Sequence, residues 1–325
     1  MNIVLAAEEA AGLQMLRALA RTTHRVVAVL AALPKPGDTN ASVWTMAQVA
    51  GFTTWPAPWV KDPCLADRLR SEKVDIFLNV HSLYIVHRDV LATPRLGAFN
   101  LHPGPLPRYA GLNAVSWAIL RGEETHGVTI HKMEPAVDMG PIVYQSLFPI
   151  EESETALSLS FKCVREGVRL MLKLLEVASI APSNIPLHPQ DHRQREYFGR
   201  EVPNNGWVRW MSPAKRVFDF VRAFDYLPFR SPWGCSKTQL GNLEVGVVKT
   251  KRSGLPCDAS PGTIGHRFDS GVQVACLDEW LLVERLKIDD KYVSASEILK
   301  PGDHLGNHYD EHAYESAHQY RRYSA

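Results

Sequence analysis

The stretch from Gly97 to Ile142, GAFNLHPGPLPRYAGLNAVSWAILRGEETHGVTIHKMEPAVDMGPI, places polar side chains among residues that turn the backbone sharply. Asn100 and His102 are two positions apart, so on an extended strand both side chains point to the same face. Leu101, between them, then faces the core on the opposite side. The Pro- and Gly-rich run at 103–107 stops the strand and turns the chain away.

A third polar residue of this stretch, Asp138, lies in a loop closed by Gly140. An amide, an imidazole and a carboxylate can together run acyl transfer to an amine, with the carboxylate orienting the imidazole and the imidazole moving the amine's proton. The carboxamide N–H donates to the oxygen on which negative charge develops. We therefore predict that Asn100, His102 and Asp138 are catalytic. The alternative is that Asn100 and His102 only satisfy backbone groups at a strand end.

The same block resembles the signature of the folate-dependent formyltransferase family. The pattern is Asn-x-His-Pro, a Leu-Pro and Tyr-x-Gly turn, then Trp, Gly-Glu, Gly-Val-Thr and Asp-x-Gly. The usual Ser-Leu after His-Pro is replaced by Gly104-Pro105, which alters the loop but none of the predicted catalytic residues. The matching positions are Asn100, His102, Pro103, Leu106, Pro107, Tyr109, Gly111, Trp117, Gly122, Glu123, Gly127, Val128, Thr129, Asp138 and Gly140.

The resemblance also implies a formyl donor and its pocket. The donor in this family is 10-formyltetrahydrofolate, a co-substrate, and no metal is expected. By resemblance, two short segments should line the folate pocket, partly through their backbone groups; the alternative is that they are ordinary core. The residues concerned are Leu83, Tyr84 and Ile85 in the first segment, and Ala136 and Val137 in the second.

The acceptor amine should arrive from the other side of the three predicted catalytic residues, past the altered Pro/Gly loop. That loop carries Arg108 and Tyr109, a cation and an aromatic ring. We predict both as acceptor-binding residues, with Arg108 able to pair with a phosphate or carboxylate of the acceptor. Arg side chains on loops are more often simply solvated, which is the alternative for Arg108.

Before this block, short apolar runs alternate with helical patterns. Asn2 to Ala7 and Val74 to Val80 have the composition of buried parallel strands. The turn after the first run lacks a Gly-x-Gly-x-x-Gly motif, and Glu8 and Glu9 would repel a pyrophosphate there, so a nicotinamide dehydrogenase is disfavoured. Alternation of this kind predicts an α/β fold with a Rossmann-like doubly wound sheet, the formyltransferase fold.

Beyond this region the chain changes character. Ser153 to Val177 carries one apolar stripe and predicts a long helix packed on the sheet. We expect a catalytic domain at 1–185, a polar, Pro-bearing linker at 186–205 and a small β-barrel, OB-like domain at 206–308. The last of these resembles the carboxyl domain of the family, with one helix followed by short strands. Residues 309–325 form a polar tail.

Composition excludes several classes of protein. The 325 residues carry a net charge of +1 and are 45% apolar, values typical of soluble globular proteins. The sequence shows no membrane helix or signal peptide, and its five cysteines lack metal-ligand spacing. We therefore expect a cytoplasmic enzyme without a metal and without a membrane partner, and a homodimer is possible.

The leading functional prediction is formyl transfer to a small amine, such as an amino sugar nucleotide or an amino-acid precursor of a secondary metabolite. Methionyl-tRNA formyltransferase is the first alternative. It is disfavoured because residues 206–308 hold 14 Lys and Arg against 12 Asp and Glu, a net of +2, and the loop 33–41 holds one Lys and one Asp. A formyltetrahydrofolate hydrolase and a non-catalytic folate-binding module remain further alternatives.

Overall fold

A computed structural model of the protein describes residues 1–34 and 41–306, so most of the loop 33–41 and the whole tail 309–325 lie outside the described residues. The chain forms two compact units. Unit 1 comprises residues 1–114, 125–149 and 160–199; unit 2 comprises 115–124, 150–159 and the chain from 200 onward. Residues 186–199 of the expected linker therefore group with unit 1, because they pair with it, as the candidate active site shows.

Unit 1 is built on a seven-stranded mixed sheet. Its strands are β1 (Asn2–Ala7), β2 (Arg25–Ala31), β3 (Thr54–Pro56), β4 (Ile76–Val80), β5 (Gly97–His102), β7 (Thr125–Lys132) and β8 (Ile142–Pro149), with β6 (Ala110–Gly111) lying outside it. Their order is β3-β2-β1-β4-β5-β7-β8. The first five strands are parallel, whereas β7 and β8 run antiparallel to their neighbours. The predicted α/β sheet is confirmed.

Helices flank the strands, as the alternating sequence pattern predicts. They are α1 (Glu9–Leu19), α2 (Val43–Val49), α3 (Leu65–Ser71), α4 (Arg88–Leu91) and α6 (Ala156–Ile180), the last of these from residue 160 onward, whereas α5 (Ala114–Leu120) belongs almost wholly to unit 2. β1 and β4 are almost wholly buried, which explains why their sequences read as continuous apolar runs. In α6, Gly167 faces Leu101 so closely that an added Cβ would stand 2.7 Å from Leu101 Cδ1. Leu101 therefore faces the helix, opposite Asn100 and His102, as predicted.

Strand register decides which side chains meet on the other face of this sheet. Asn79 of β4 pairs with Asn100 of β5, and Asn100 pairs with His131 of β7. One polar residue from each of three neighbouring strands therefore lies in a single row. One step further along, His102 pairs with Thr129 of β7. The two rows form the floor of the site described below.

Unit 2 contains α7 (Ala214–Phe224), α8 (Ala295–Ile298) and an antiparallel sheet, preceded in the chain by β9 (Tyr197–Phe198), which belongs to unit 1. Its strands are β10 (Lys237–Leu240), β11 (Leu243–Pro256), β12 (Ile264–Phe268), β13 (Gly271–Ala275), β14 (Glu279–Ile288), β15 (Lys291–Ser294) and β16 (Leu305–Gly306). Backbone hydrogen bonds between residues 262–264 and 302–305 join the β12 end of the sheet to the chain entering β16. This closure gives the small barrel-like domain that was predicted.

Candidate active site

The three predicted catalytic residues come together at the carboxyl end of β5, where ligands bind in open α/β sheets. Asn100 and His102 end this strand, and Asp138 comes from the loop between β7 and β8. The imidazole of His102 is buried, with its Nε2 2.7 Å from the carbonyl oxygen of Tyr109. Its Nδ1 lies 3.5 Å from Asp138 Oδ2. Because a carbonyl can only accept, Nε2 carries a hydrogen, and Nδ1 is the nitrogen that can take up a proton beside the carboxylate.

The carboxylate of Asp138 is held from several sides. Its Oδ2 accepts a hydrogen bond of 2.8 Å from the Gly111 N–H, and its Oδ1 lies 3.4 Å from His131 Nε2. Burial raises the pKa of the Asp138 carboxyl, but attraction to His102 and His131 in their protonated forms, together with the Gly111 N–H, outweighs burial and holds this pKa well below its ordinary value. Asp138 is therefore ionised at neutral pH.

The pKa of the His102 imidazole is also lowered, but for a different reason. Burial disfavours the cation and lowers the pKa of His102, while the charge of Asp138 and the Tyr109 carbonyl oppose burial without cancelling it. His102 is therefore neutral at neutral pH and able to accept a proton. Once formed, its cation would have an acceptor for each of its two N–H groups, Tyr109 and Asp138. This arrangement suits a group that takes up a proton and then releases it.

A chain of hydrogen bonds fixes the orientation of the Asn100 amide. Asn79 Nδ2 donates to the carbonyl of Ser82 (3.3 Å) and to Asn100 Oδ1 (2.9 Å). Because a backbone carbonyl accepts only, the Asn79 nitrogen is identified, and Asn100 must present its oxygen to Asn79. Asn100 Nδ2 then donates to His131 Nε2 (3.0 Å), and His131 Nδ1 donates to the Lys132 carbonyl (3.0 Å).

The consequence for chemistry is that Asn100 turns its N–H groups, not its oxygen, into the site. One of them is bonded to His131, and the other has no partner among the residues that the structure describes. Sequence reasoning missed both Asn79 and His131. Each lies on a buried strand, and what reveals them is the register of β4, β5 and β7, which brings them level with Asn100. Spacing along the chain does not contain that information.

The turn that follows His102 is fastened to β7 and β8. Thr129 Oγ1 donates to the Gly104 carbonyl (2.7 Å) and accepts from the Leu106 N–H (3.2 Å). Gln145 Nε2 donates to Thr129 Oγ1 and to the Leu106 carbonyl, both at 2.9 Å. These bonds fix the conformation of the segment around Gly104 and Pro105, which stand where the family has Ser-Leu. They thereby also position the Tyr109 carbonyl that contacts His102.

The segment expected to be a linker also supports the site. Gln190 is buried and its Nε2 donates to the carbonyls of Asp138 (2.9 Å) and Gly140 (2.7 Å), so it clamps the loop that carries the carboxylate. β9 pairs in parallel with β6, and Gly111 in β6 has a positive φ of 91° and would press a Cβ against the Phe198 carbonyl. Only glycine accommodates this approach. The polar composition of residues 186–205 predicts a linker. In the structure, the polar side chain of Gln190 in this segment instead donates hydrogen bonds to backbone carbonyls of the loop that carries Asp138.

The residues predicted to contact folate flank the hydrogen-bonded chain. Ser82, at one end of that chain, leads into Leu83 and Ile85, whose side chains are 77% and 66% exposed. At the other end, Ala136 and Val137 are exposed beside Asp138. Tyr84 is partly buried against the core cluster and has the Lys61 Nζ 5.1 Å from its ring centroid. Exposed apolar side chains at the edge of a sheet are not ordinary core, so the core alternative does not fit Leu83 and Ile85.

The two residues predicted to bind the acceptor differ in the structure. The ring of Tyr109 is 1% exposed and stacks on Phe198 at 5.4 Å between centroids, so the predicted ring–acceptor contact is wrong. Tyr109 contributes its backbone carbonyl instead, because its positive φ of 59° turns the side chain into the core. Arg108 is 45% exposed, with its Nε 3.4 Å from Glu196 Oε2. Its contact with the acceptor stays a prediction.

Within residues 1–34 and 41–306, no group of three or more His, Cys, Asp or Glu side chains is arranged to hold a metal ion. Over the same ranges, no helix is both long and apolar enough to cross a membrane.

Asn79 offers a direct test of how the amide of Asn100 is oriented. Asn79→Asp keeps the shape but presents only acceptor oxygens, so Asn100 should turn its N–H groups to it and its oxygen into the site. We expect kcat for formyl transfer to fall roughly a hundredfold, as when an oxyanion donor is lost. Asn79→Leu, which only releases Asn100, should lose less. Equal losses for the two variants would show that Asn79 does not orient the amide.

Comparison with known proteins now adds the wider relationship. A family model described as "Formyl transferase" matches residues 1–175, more than half of the chain. A second model, "Formyl transferase, C-terminal domain", matches residues 202–301. Methionyl-tRNA formyltransferase from Legionella pneumophila is 27% identical over 310 residues, covering 93% of this chain and 96% of the relative.

Solved structures share the fold. An N-formyltransferase from Helicobacter canadensis, in complex with folinic acid and dTDP-3-aminofucose, superposes with a TM-score of 0.66 at 17% identity, over 86% of this chain and 98% of its own. WlaRD, a sugar 3N-formyl transferase solved with dTDP and 5-N-formyl-THF, gives 0.63 at 16% identity, over 87% and 96%. With a match in both units and a shared fold over nearly the whole length, the chain belongs to the formyl transferase family and is a folate-dependent N-formyltransferase.

Proposed function

We propose that the protein transfers the formyl group of 10-formyltetrahydrofolate to the amino group of a small molecule, and that Asn100, His102 and Asp138 run the transfer. The observation that carries this proposal is the neutral, buried His102 between an ionised Asp138 and the Tyr109 carbonyl, beside an amide whose N–H groups face the site. A proton acceptor, its orienting carboxylate and an oxyanion donor are the parts that acyl transfer to nitrogen needs.

In the proposed reaction the neutral amine attacks the formyl carbon, and the carbonyl electrons move onto the oxygen. The free N–H of Asn100 donates to that oxygen as it becomes negative. His102 accepts the proton released by the attacking nitrogen and delivers it to N10 of the folate as the C–N10 bond breaks. Asp138 stabilises the imidazolium between these two steps. The products are a formamide and tetrahydrofolate, and no net proton or electron is consumed.

The donor is supported by the surface around these residues. The exposed apolar side chains of Leu83, Ile85 and Val137 provide an apolar surface on which a pterin ring can pack. Among the described residues, the buried Asn79 Oδ1 and Ser82 Oγ have no hydrogen-bond partner, and so could bond the polar edge of that ring. The two solved relatives were crystallised with folinic acid or 5-N-formyl-THF, which agrees with a reduced folate here.

For the acceptor, the finer choice is between a small amine and a charged tRNA. One solved relative is in complex with dTDP-3-aminofucose and the other is a sugar 3N-formyl transferase solved with dTDP, whereas the relative from Legionella pneumophila is a methionyl-tRNA formyltransferase. We favour the small amine because residues 206–308 have a net charge of only +2, with 14 basic and 12 acidic residues. Binding to a phosphate backbone depends on a marked excess of cations. An amino sugar nucleotide and an amino-acid precursor of a secondary metabolite are both within this proposal.

The test offers the protein 10-formyltetrahydrofolate with a panel of acceptors: dTDP-3-aminofucose, other amino sugar nucleotides, free diamino acids and initiator methionyl-tRNA. Tetrahydrofolate release is followed together with the mass of the acceptor, which gains one formyl group. We expect product with a small amine and none with the tRNA. Formylated tRNA would establish the first alternative, and formate released without any acceptor would establish the hydrolase. Folate binding without either product would establish a non-catalytic module.

A further inference from the structure

A second histidine–carboxylate pair lies beside the proposed catalytic residues. His81 directly follows β4, and its Nδ1 is 3.5 Å from Glu9 Oε2. Glu9 is the first residue of α1, and the start of this helix is tied to the end of β4 because the N–H of the preceding Glu8 donates to the Val80 carbonyl at 3.1 Å. The pair therefore sits at the same carboxyl edge of the sheet as Asn100 and His102.

Strand register places the pair next to His102. β4 and β5 are parallel, with Val80 opposite Leu101, so the next positions along the two chains are His81 and His102. Electrostatics agree with this placement, since His81 is among the groups that lower the pKa of His102. His102 is therefore faced by two histidine–carboxylate arrangements, its own with Asp138 and the pair of His81 with Glu9.

The local structure of the pair is unusual for residues that only pack. Glu9 and His81 both adopt left-handed backbone conformations, with φ of 57° and 59°; only a few per cent of residues other than Gly do so, and Glu does so less often than His. Strained backbone of this kind clusters at functional sites. The His81 side chain is 18% exposed, and its Nε2 is buried with no hydrogen-bond partner among the described residues.

The carboxylate decides which ring nitrogen is the base. Hydrogen bonding from His81 lowers the pKa of the Glu9 carboxyl, so Glu9 is ionised at neutral pH. An ionised carboxylate accepts only, so the hydrogen of a neutral His81 lies on Nδ1 and the lone pair is on the buried Nε2. His81 is thus a base with a buried, free nitrogen, on the residue that follows Val80 at the strand end beside the proposed catalytic histidine, and it is placed to meet a proton that enters the site with a ligand.

Formyl transfer brings such a proton. An acceptor amine is mostly an ammonium ion near neutral pH and has no lone pair until one proton is removed. We propose that His81, held by Glu9, removes this proton, so that a histidine–glutamate pair activates the acceptor while His102 and Asp138 serve the transfer itself. This inference rests on the proposed function, and it changes the approach expected from the sequence: the ammonium group of the acceptor lies at His81 and Glu9, on the side of the 83–85 segment, and not beside Arg108.

In this step an ammonium N–H bond breaks, the proton moves to Nε2 of His81, and the lone pair left on nitrogen attacks the formyl carbon. The imidazolium is stabilised by Glu9, and the proton passes to water when the product leaves. The titratable groups that the structure places beside His81 are Glu9, 3.5 Å from its Nδ1, and His102, whose pKa His81 lowers. The carboxylate favours the cation, whereas His102 opposes it only when it is itself protonated.

The test is the pH dependence of kcat/KM for wild type, His81→Asn and Glu9→Gln, with dTDP-3-aminofucose or whichever small amine of the panel the wild type formylates. Asn tolerates the left-handed backbone at position 81, so the fold should survive. The variants can use only acceptor that is already neutral in solution. Their loss should be roughly a hundredfold two pH units below the amine's pKa and should disappear above that pKa, because each unit changes the neutral fraction tenfold.

His87→Asn is the matched control. His87 Nδ1 lies 3.6 Å from Asp89 Oδ2, a pair of nearly the same geometry six residues further on, where the histidine caps α4. Asn is a good N-cap, so this variant should follow the wild-type profile. The double variant His81→Asn/Glu9→Gln should lose no more than His81→Asn, because the two residues act as one unit.

Two results would overturn the inference: a loss of the same size at every pH, which indicates a structural role, or no loss in either variant. If the wild type formylates none of the small amines, the outcome is a different one, because that result contradicts the proposed function itself.

Discussion

His102→Asn should abolish measurable formyl transfer while the protein stays folded and binds folate with nearly wild-type affinity. The neutral imidazole is the group placed to accept the amine's proton, and Asn cannot exchange protons near neutral pH. An Asn amide can still donate towards the Tyr109 carbonyl, which lies 2.7 Å from His102 Nε2, so that buried acceptor need not be left unpaired. Transfer is measured as tetrahydrofolate release, and folate binding by fluorescence titration.

His126→Asn provides the control for this variant. His126 is also fully buried, and its Nε2 lies 2.9 Å from the carbonyl of Pro103, in the same turn that follows His102. Its ring also approaches Tyr109, but none of its contacts described here is with Asp138. Its replacement should lower stability while each folded molecule keeps its turnover. Wild-type kcat in His102→Asn, or an equal loss in both variants, would remove His102 from the mechanism.

Much of unit 1 could be predicted because buried parallel strands have a composition of their own. β1, β4 and the strand carrying Asn100 and His102 follow from apolar runs and from the alternation of Leu101 between two polar residues. The motif likewise identified Asp138, because a catalytic carboxylate in a Gly-closed loop is part of a local pattern. These features are encoded within a few residues of chain and need no knowledge of the tertiary fold.

The rest of the site depends on contacts between distant segments. Asn79, Asn100 and His131 meet because three strands are in register, and a shift of one residue would turn each side chain to the opposite face. Tyr109 was predicted from its aromatic character, but a left-handed backbone conformation buries the ring and leaves the carbonyl in the site. Gln190 lies in a polar segment whose purpose becomes visible only when its partners, two carbonyls about fifty residues earlier, are known.

Asp138→Asn should reduce kcat by roughly a hundredfold or more, with little change in the folate KM. The substitution is nearly isosteric, and Asn favours the left-handed backbone that Asp138 adopts (φ 56°), so the loop should keep its shape. What is lost is the charge that raises the pKa of His102. The imidazolium formed during transfer then loses its stabilising partner, and the pKa of His102 should fall further below its ordinary value, which NMR titration can follow.

The pH dependence of the free energy of unfolding should reveal the interactions of the Asp138 carboxylate independently of any measurement of turnover. The pKa of Asp138 is held below its ordinary value in the folded protein, so the unfolded chain binds this proton more tightly. Its contribution to the free energy of unfolding is therefore complete above the ordinary aspartate pKa and is lost as pH falls towards the folded value. Urea unfolding should show Asp138→Asn destabilised relative to wild type at pH 7, with the gap narrowing as the solution is acidified below about pH 4.

Asp191→Asn separates this effect from the general loss of a carboxylate. Asp191 lies close to Gln190 but is bonded to Arg193 at 2.8 Å on the surface, and hydrogen bonds from Arg193 and Gln194 lower its pKa to about 2. Because Asp191 is solvated and touches neither His102 nor His131 in the structure, its replacement should leave kcat unchanged. If Asp138→Asn and Asp191→Asn both keep wild-type kcat, or if the pKa of His102 is the same in Asp138→Asn as in wild type, the carboxylate does not act on the imidazole. The residue to test next would then be His131, whose Nε2 lies 3.4 Å from Asp138 Oδ1, with the variant His131→Asn.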